Sequence, residues 1–372
     1  MLYLDNSATT PLLPEVKDAM LPYLLEEFGN PSSKYYSLAI NAKEAVESAR
    51  THVARLIGCS NNEITFTSGS TETNNMIIKG TADYYHSKGN HIITSKAEHP
   101  SVLDTCKFLE SKGYEVTYLE VDRYGRISVE DLQGSIKDTT ILVTLMWGNN
   151  ELGSLNPIEQ ISNICLNRNV LFHTDATQVV GKIHFSLEDY PGITFLSCSA
   201  HKFHGPKGTG TAYIRQDQYG ISTPITPLIH GGGQENGLRS GTLAVHNIVG
   251  MGKAAELALR NLKINIETLV ELEEELITVL EKKFSSHILF NNDSKDKIPG
   301  VLNVQFIGIN NEILVKKLAP IMAVSTGSAC SSSKPSHVLQ SAGFSLEQVR
   351  NTVRFSLSHI VNKEDLVLFN NL

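Results

Sequence analysis

Lys202 lies in a segment whose neighbours suit covalent chemistry with an aldehyde. Residues 199–208 follow an apolar run, 193–198, that has the length and composition of a buried strand. Ser199 and His201 lie close to the lysine, and nearby glycines allow close approach of the backbone. Partial desolvation at a strand end lowers the pKa of a lysine, which then forms a Schiff base more readily. Because a lone lysine in such a loop is more often a surface residue, the interpretation depends on other motifs.

A second apolar strand, 170–174, is followed directly by Asp175, and Gln178 comes three residues later. An aspartate at a strand end is most often a satisfied cap. It can also hold the proton of a pyridine nitrogen, as pyridoxal phosphate chemistry requires, with Gln178 bonded to the phenolic oxygen of the same ring. The second interpretation would supply the aldehyde for Lys202.

Residues 64–75 combine a strand, a Gly/Ser turn and the start of a helix. The turn contains Ser68, Gly69, Ser70 and Thr71. Backbone N–H groups and hydroxyls at a helix N-terminus form a binding site for an anion such as phosphate. No Gly-Lys-Ser/Thr follows, so the turn is not a Walker motif. Helix capping alone also explains serine and threonine here.

His99 precedes a proline and follows the apolar strand 91–94 by a few residues. Its ring could stack on a flat heterocycle or shuttle protons, although a lone histidine is more often structural. A zinc site made of His99, His173, His201 and His204 is an alternative, but no HExxH or comparable ligand motif supports it.

Cys330 and Arg354 are two further residues whose types are unexpected in their sequence surroundings. Cys330 lies in a run of Gly and Ser, 325–333, where a buried apolar role is unexpected. An exposed thiol on a mobile loop suits a nucleophile that must travel, although it can also be incidental. Arg354 lies in an apolar strand, 353–357, and needs an anion, either a substrate carboxylate or a structural ion-pair partner.

Composition narrows the class of protein. The 372 residues are 41% hydrophobic and 19% charged, and the formal net charge is −7, which does not indicate a nucleic-acid binder. No apolar run reaches the length of a membrane span, and the N-terminus has no secretory signal. Five scattered cysteines without a CxxC pair predict reduced thiols rather than a disulfide framework or a zinc site.

The elements that position these residues form an α/β pattern. Seven short apolar strands are predicted at 63–67, 91–94, 115–121, 140–146, 170–174, 193–198 and 210–214. Segments such as 101–112 and 158–168 are long enough for crossover helices, so a mainly parallel sheet is expected. Ligands bind beyond the carboxyl ends of such strands, which is where Asp175 and Lys202 lie.

The pattern changes after about residue 252. Leucines and isoleucines recur every three or four residues from 262 to 280, which predicts one long amphipathic helix. Strands at 288–290, 301–306 and 353–357 and a helix near 312–318 follow. We therefore expect a large domain, 12–255, and a smaller α+β domain made of 1–11 and 256–372, which carries Cys330.

Together these motifs resemble the cysteine desulfurases of the class V aminotransferase family, within the fold-type I pyridoxal phosphate (PLP) enzymes. The resemblance covers nearly the whole chain and keeps the order of the family motifs. The matching segments are 3–10, 68–75, 98–100, 149–153, 175–178, 199–208, 239–242 and 328–330. The Ser-rich setting of Cys330 resembles the group that serves nitrogenase and general iron–sulfur assembly.

The resemblance implies a role for each matching residue. Lys202 would bind PLP, Asp175 its ring nitrogen and Gln178 its phenolic oxygen, while His99 would stack on the ring. Asn150 would also contact the cofactor and, with Arg354, the substrate carboxylate. The residues implied to hold the phosphate are Thr71, Ser199, His201 and, from the second subunit of a homodimer, Thr242.

The implied reaction converts L-cysteine into L-alanine in the cytoplasm. Lys202 would remove the α-proton, and the Cys330 thiolate would take the sulfur as a persulfide for a protein acceptor. Iron–sulfur assembly, tRNA thiolation and DNA phosphorothioation all use such sulfur. The alternatives are a selenocysteine lyase, a class V aminotransferase and a non-catalytic scaffold; Cys330 disfavours the aminotransferase. The short tail and Ser358-His359, where Gly-Arg is common, depart from the family pattern.

Overall fold

The computed structural model describes residues 1–327 and 335–371. The strands are β1 (Leu2–Tyr3), β2 (Ile64–Thr67), β3 (His91–Ser95), β4 (Glu115–Leu119), β5 (Thr140–Thr144), β6 (Leu171–Asp175), β7 (Phe195–Ser199), β8 (Gly210–Ile214), β9 (Ile288–Phe290), β10 (Val301–Phe306), β11 (Met322–Ala323) and β12 (Thr352–Ser356). The helices are α1 (Pro14–Leu25), α2 (Ser37–Ile57), α3 (Ser70–Tyr85), α4 (Pro100–Glu110), α5 (Val129–Ser135), α6 (Ile158–Asn167), α7 (Val245–Phe284), α8 (Asn311–Leu318), α9 (His337–Ser341) and α10 (Leu346–Arg350).

Strands β2 to β8 form one seven-stranded sheet in the order β2-β8-β7-β6-β5-β3-β4. The pairs β3–β4, β3–β5, β5–β6 and β6–β7 are parallel, and β8 is antiparallel to both of its neighbours, β2 and β7. The predicted α/β class with a mainly parallel sheet is therefore confirmed. Because β2 and β7 are both antiparallel to β8, the carboxyl ends of β2, β3, β5, β6 and β7 meet at one edge.

Helices cover both faces of this sheet, as the strand sequences require. Adjacent residues of a strand point to opposite faces, and Ile92 and Ile93 of β3 enter two different apolar clusters. One cluster packs the sheet against α2 and α7, and the other packs it against α3 and α4. A strand buried on both sides explains the continuous apolar runs in the sequence.

The C-terminal part forms a second sheet, β12-β10-β9, with all pairs antiparallel. It packs on the leucines of the later half of α7, from Leu269 to Leu280, and on Leu2 and Leu4 from the start of the chain. Strand β1 pairs in parallel with β11, so the N-terminal residues join this layer. The predicted strands at 288–290 and 301–306 match the structure to the residue.

Helix α7 is longer than the leucine pattern indicates, because it begins at Val245 rather than after residue 252. Its first half carries two glycines, Gly250 and Gly252, which are poor helix formers in sequence but pack closely on other elements here. The helix runs through both cores, with Ala258 in the first and Leu269 in the second. We propose that the large domain is 12–255 and that the small domain is 1–11 together with 256–372. The boundary then lies within α7, close to Ala258.

Two predictions from composition can be compared with the structure. Cys59, Cys106, Cys165 and Cys198 are unpaired thiols, and the last three are buried. None of the helices in residues 1–327 and 335–371 has the length and hydropathy needed to cross a membrane.

Candidate functional site

A cleft of about 1150 Å³ opens at the carboxyl edge of the large sheet. Nine of the residues predicted from sequence line it: Thr71, His99, Asn150, Asp175, Gln178, Ser199, His201, Lys202 and Arg354. Thr242 lies outside the cleft of its own chain and is exposed. Cys330 lies outside the described residues.

Lys202 ends a short helical turn, Ala200–Lys202, that follows directly on β7. Its Nζ donates hydrogen bonds to the carbonyl oxygens of Ser7 (2.6 Å) and Ala8 (2.8 Å). The opening segment of the chain therefore lies against the lysine, and Ser7, Ala8 and Thr9 line the cleft. The residues alone gave no role to this segment, and only its match to a family motif marked it.

Asp175 is the last residue of β6 and is buried. Its Oδ2 accepts a hydrogen bond from Asn74 Nδ2 (2.8 Å), and its Oδ1 accepts one from the backbone N–H of Thr177 (3.0 Å). Asn74 lies on α3 and also donates to Ser101 on α4, so two helices fix the carboxylate. This support from α3 was not predicted.

The turn before α3 forms an anion cradle. Gly69 has φ = 151°, and a Cβ there would lie 3.2 Å from Ser199 Oγ, so a side chain would crowd the cradle. Ser199 Oγ accepts the backbone N–H of Ser70 (2.9 Å), and Ser70 Oγ bonds Thr177 Oγ1 (2.6 Å). Hydroxyls and a helix N-terminus thus surround one end of the cleft, as binding of a phosphate requires.

His99 is the N-cap of α4, and its ring orientation is fixed. Nδ1 accepts the backbone N–H of Ser101 (3.1 Å) and also contacts Ser101 Oγ (2.8 Å). Because Nδ1 is an acceptor, a neutral ring carries its hydrogen on Nε2. Burial lowers the pKa of His99, so the neutral ring predominates at pH 7.

His201 bonds the N-terminal segment through Nδ1 and Thr9 Oγ1 (3.1 Å). Burial, together with the charges of Lys202 and Lys207, lowers the pKa of His201 to about 4. The imidazole is therefore neutral at pH 7, and it can contribute a hydrogen bond to an anion but not a full charge.

Arg354, on β12, is 1% exposed. Its Nη2 pairs with Asp5 Oδ1 (2.7 Å), and its Nη1 donates to the carbonyl oxygens of Asn150 (3.0 Å) and Gly327 (3.2 Å). Nε has no hydrogen-bond partner among the described residues. Arg354 therefore makes a structural ion pair, which is one of the two alternatives from the sequence, and it also lines the cleft, as the other alternative, binding of a substrate carboxylate, requires.

Three residues of this region were missed by the sequence analysis. His337, which lines the cleft, donates from Nε2 to the carbonyl oxygen of Glu98 (2.8 Å). Glu151, whose Oε2 accepts Ser336 Oγ (2.5 Å), is buried, and burial raises its pKa. Burial also raises the pKa of Glu98, to about 8. Both acids lie inside recognised motifs, and their place in those motifs was the available signal.

The zinc alternative gains no support from these positions. His173 bonds Thr144 Oγ1 and Ser197 Oγ (2.8 Å each) inside the sheet, and His204 bonds Ser358 Oγ (2.9 Å). Within the described part of the chain, no three His, Cys, Asp or Glu side chains form a group that could hold a metal ion.

The donor set fits PLP. A lysine amine lies near a buried carboxylate and a neutral imidazole, and the anion cradle lies at one end of the same cleft. These groups suit an aldehyde, a ring nitrogen, a flat ring and a phosphate.

Comparisons with known proteins agree with this geometry. The family model described as aminotransferase class-V matches residues 2–369. The chain is 46% identical over 368 residues to a protein named cysteine desulfurase IscS from Dictyoglomus turgidum, covering 98% of this chain and 91% of that one. A solved structure titled NifS-like protein has a TM-score of 0.92 at 36% identity and covers 100% of this chain and 97% of its own. Another, titled SspA in complex with cysteine, has a TM-score of 0.85 at 37% identity, with coverage of 97% and 100%.

Proposed function

The chain belongs to the aminotransferase class-V family and, within it, to the cysteine desulfurases, and from this premise we propose that it converts L-cysteine into L-alanine and passes the sulfur through Cys330 to a protein acceptor. The convergence of Lys202, Asp175 and Arg354 on one cleft supports this proposal. A similar solved structure is titled as a complex with cysteine, which supports the same substrate.

The residues proposed to hold PLP are Lys202, Asp175, Gln178, His99, Asn150, Thr71, Ser199 and His201, with Thr242 from a second subunit. When bound, PLP supplies a protonated ring that takes up electron density as the substrate loses its α-proton. The same proposal includes a homodimer and a cytoplasmic location.

Asp175 keeps a proton on the ring nitrogen. Its two oxygens already accept hydrogen bonds from Asn74 and Thr177, so the carboxylate is held in one orientation. A negative charge fixed in a buried site favours the protonated form of a neighbouring pyridine nitrogen. The neutral ring of His99 can lie against the cofactor without adding a competing charge.

Lys202 moves the proton of the substrate. Its Nζ lies within hydrogen-bond distance of two carbonyl oxygens of the N-terminal segment, which orient the amine while it takes and returns the α-proton. Arg354 binds the substrate carboxylate with Asn150, and a planar guanidinium supplies two parallel donors for it.

Cys330 takes the sulfur. Its thiolate attacks the substrate sulfur, so that an S–S bond forms while the C–S bond breaks and its electrons go to carbon, which is then protonated to give alanine. The persulfide carries the sulfur to the acceptor. We propose that this acceptor belongs to iron–sulfur assembly, because the curated relatives carry the name IscS; tRNA thiolation and DNA phosphorothioation are the alternatives.

Sulfur-labelled cysteine tests the reaction. PLP-loaded wild-type protein should release one alanine for each sulfur transferred and should carry label on Cys330 by mass spectrometry. Cys330→Ala should abolish both products while the cofactor spectrum persists. Cys59→Ala is the matched control, because Cys59 is a free thiol of intermediate exposure and lies outside the cleft. Alanine release from cysteine by Cys330→Ala at the wild-type rate would contradict the desulfurase reaction.

A further inference from the structure

Lys182 is a half-buried titratable residue that the proposed reaction does not use. It follows Gln178 by four residues, after a turn in which Gly181 has φ = 76°. A Cβ at Gly181 would lie 2.9 Å from Phe203 Cβ, so both the conformation and the space require glycine. Lys182 Nζ donates a hydrogen bond to Gln178 Oε1 (3.0 Å).

The other end of the Gln178 amide is also bonded. Nε2 donates to the carbonyl oxygen of Ser7 (2.9 Å), which also accepts from Lys202 Nζ (2.6 Å). A flipped amide would place its NH₂ group against the ammonium form of Lys182 and its oxygen against the carbonyl oxygen of Ser7, which are two repulsive contacts. Lys182 and Ser7 therefore select one orientation of the amide.

This orientation determines what Gln178 offers to the cleft. Nε2 carries two hydrogens, and one of them is used by Ser7. Because Gln178 lines the cleft, the second hydrogen is available to a group bound there. A donor stabilises an anionic oxygen and disfavours its protonation.

The surroundings of Lys182 indicate that it is not there for an ion pair. It lines a small cavity of about 50 Å³ together with Lys202, His204 and His359, and none of the described residues that line this cavity is acidic. Burial and the charges of Lys202 and Arg354 lower the pKa of Lys182 to about 7. A lysine that is partly removed from water without an acidic partner lowers the stability of the folded protein. A positioning role is therefore the better explanation for Lys182.

We propose that Lys182 is a positioning residue, which fixes the amide of Gln178 so that its NH₂ group faces the phenolic oxygen of the cofactor. The inference rests on the proposed function, because that oxygen is present only if PLP binds in this cleft. Lys182 itself touches neither cofactor nor substrate and acts through Gln178.

The test is a pH titration of the visible absorption of PLP-loaded enzyme. When the phenolic oxygen of the cofactor loses the hydrogen bond from Gln178, it becomes a stronger proton acceptor, and the pKa of the proton beside it rises. Lys182→Met should therefore raise the midpoint of the absorption change by about one pH unit. Lys182→Arg, which keeps a donor and a charge, should return the midpoint toward wild type. Lys182→Leu is a second apolar variant if Lys182→Met does not fold.

Two controls separate positioning from charge. Lys207 lines the cleft and adds positive charge to it, but its side chain is exposed, so Lys207→Met should leave the midpoint near wild type. In a Gln178→Leu background, Lys182→Met should produce little further shift. An equal shift in that background would mean that Lys182 acts by charge alone, and this would overturn the positioning role.

The outcome also separates this inference from the proposed function. If wild-type enzyme binds PLP and releases alanine from cysteine, but Lys182→Met titrates like wild type, then only the role of Lys182 is wrong. If wild-type enzyme binds no PLP, both the proposed function and this inference fail.

Discussion

At the scale of single residues, Arg354 combines an ion pair with Asp5 and a position in the wall of the cleft. The guanidinium pairs with Asp5 and also lines the cleft, with its Nε unpartnered within the described residues. A buried arginine with remaining hydrogen-bonding capacity can bind an anion without losing its structural contact. Its ion pair is therefore no evidence against a role in substrate binding.

Arg354→Lys should raise the KM for cysteine about 10- to 100-fold, because an ammonium cannot reproduce two parallel hydrogen bonds to a carboxylate. Steady-state kinetics with cysteine measures this change. Asp5→Asn is the matched control, since it weakens the ion pair and keeps the guanidinium. An unchanged KM in Arg354→Lys would show that this arginine is structural only.

Glu98 is a buried acid that immediately precedes His99. Oε1 accepts the backbone N–H of Met146 (2.8 Å) and Ser95 Oγ (3.1 Å), while Oε2 has no partner among the described residues. Burial, and then the charge of Asp175, raises the pKa of Glu98 to about 8. The protonated carboxylic acid is therefore a major form of this group at pH 7.

The raised pKa of Glu98 makes stability depend on pH. Because the folded-state pKa lies above the unfolded value of 4.5, its contribution is fully present below pH 4.5 and is lost as pH rises through about 8. Relative to Glu98→Gln, the wild-type free energy of unfolding should fall by about 1 kcal/mol per pH unit within that range. Urea denaturation of both proteins at several pH values measures this. A pH-independent difference would exclude a titrating Glu98.

At the scale of elements, the site exists because several strands end at one edge. Asp175 ends β6 and Ser199 ends β7, while His99 follows β3 by four residues. Their side chains are far apart in sequence but meet because the parallel strands have the same direction. The helices α3 and α4 then fix the side chains, through Asn74 on Asp175 and through the cap at His99.

Close packing of α2 on α7 supports this sheet. A Cβ on Gly252 would lie 2.5 Å from Ala49 Cα, which is a backbone atom that cannot move aside. Gly252→Ala should therefore lower the free energy of unfolding by about 1–3 kcal/mol.

Gly134→Ala is the control for Gly252→Ala. Gly134 lies in α5 with no atom within 4 Å of its missing Cβ, and its change should stabilise by about 0.5–1 kcal/mol. Chemical denaturation compares both variants with wild type. If Gly252→Ala is as stable as Gly134→Ala, the contact with α2 is not tight.

At the scale of the whole molecule, the first ten residues join the two cores. Leu2 and Leu4 pack in the small core, Asn6 Nδ2 donates to the carbonyl oxygen of Ser356 (2.8 Å), and Ser7 accepts from Lys202. The opening segment thus connects the layer that contains Arg354 with the lysine at the sheet edge. Changes here are expected to affect both halves of the site.

Thr242 gives a test of the proposed homodimer. The preceding Arg239 is bonded to Glu72 (2.8 Å) at the rim of the cleft, yet Thr242 itself is exposed and lies outside the cleft. If Thr242 binds the cofactor phosphate in the site of the second subunit, Lys202→Ala and Thr242→Ala each impair the enzyme. A mixed dimer of the two variants nevertheless contains one intact site. Refolding the two variants together should recover up to about one quarter of wild-type activity. Random pairing makes half of the dimers mixed, and one of the two sites in each mixed dimer is intact.

The same experiment has a clear negative outcome. Thr242→Ala must first be shown to weaken PLP binding when it is alone. If the mixture then has only the summed activity of the separate variants, Thr242 does not act across a subunit interface.

The sequence by itself determined the elements and most of the chemistry. Buried strands of a parallel sheet are continuous apolar runs, so the seven strands were predicted to within two residues at each end, and the residues that follow them were recognisable as candidates. Lys202, Asp175 and His99 each stand where a strand ends or shortly after it, which is a local property of the chain.

Only the tertiary structure decided which groups support these residues and how they are charged. The contact of Gln178 with Ser7, the bond from Asn74 to Asp175, and the raised pKa of Glu98 depend on neighbours more than a hundred residues away or on burial. The helical start of α7 was missed because its two glycines, Gly250 and Gly252, are poor helix formers by propensity, and only the close packing on other elements explains them. Desolvation and long-range hydrogen bonds have no periodicity in a sequence, and they appear only when the chain is folded.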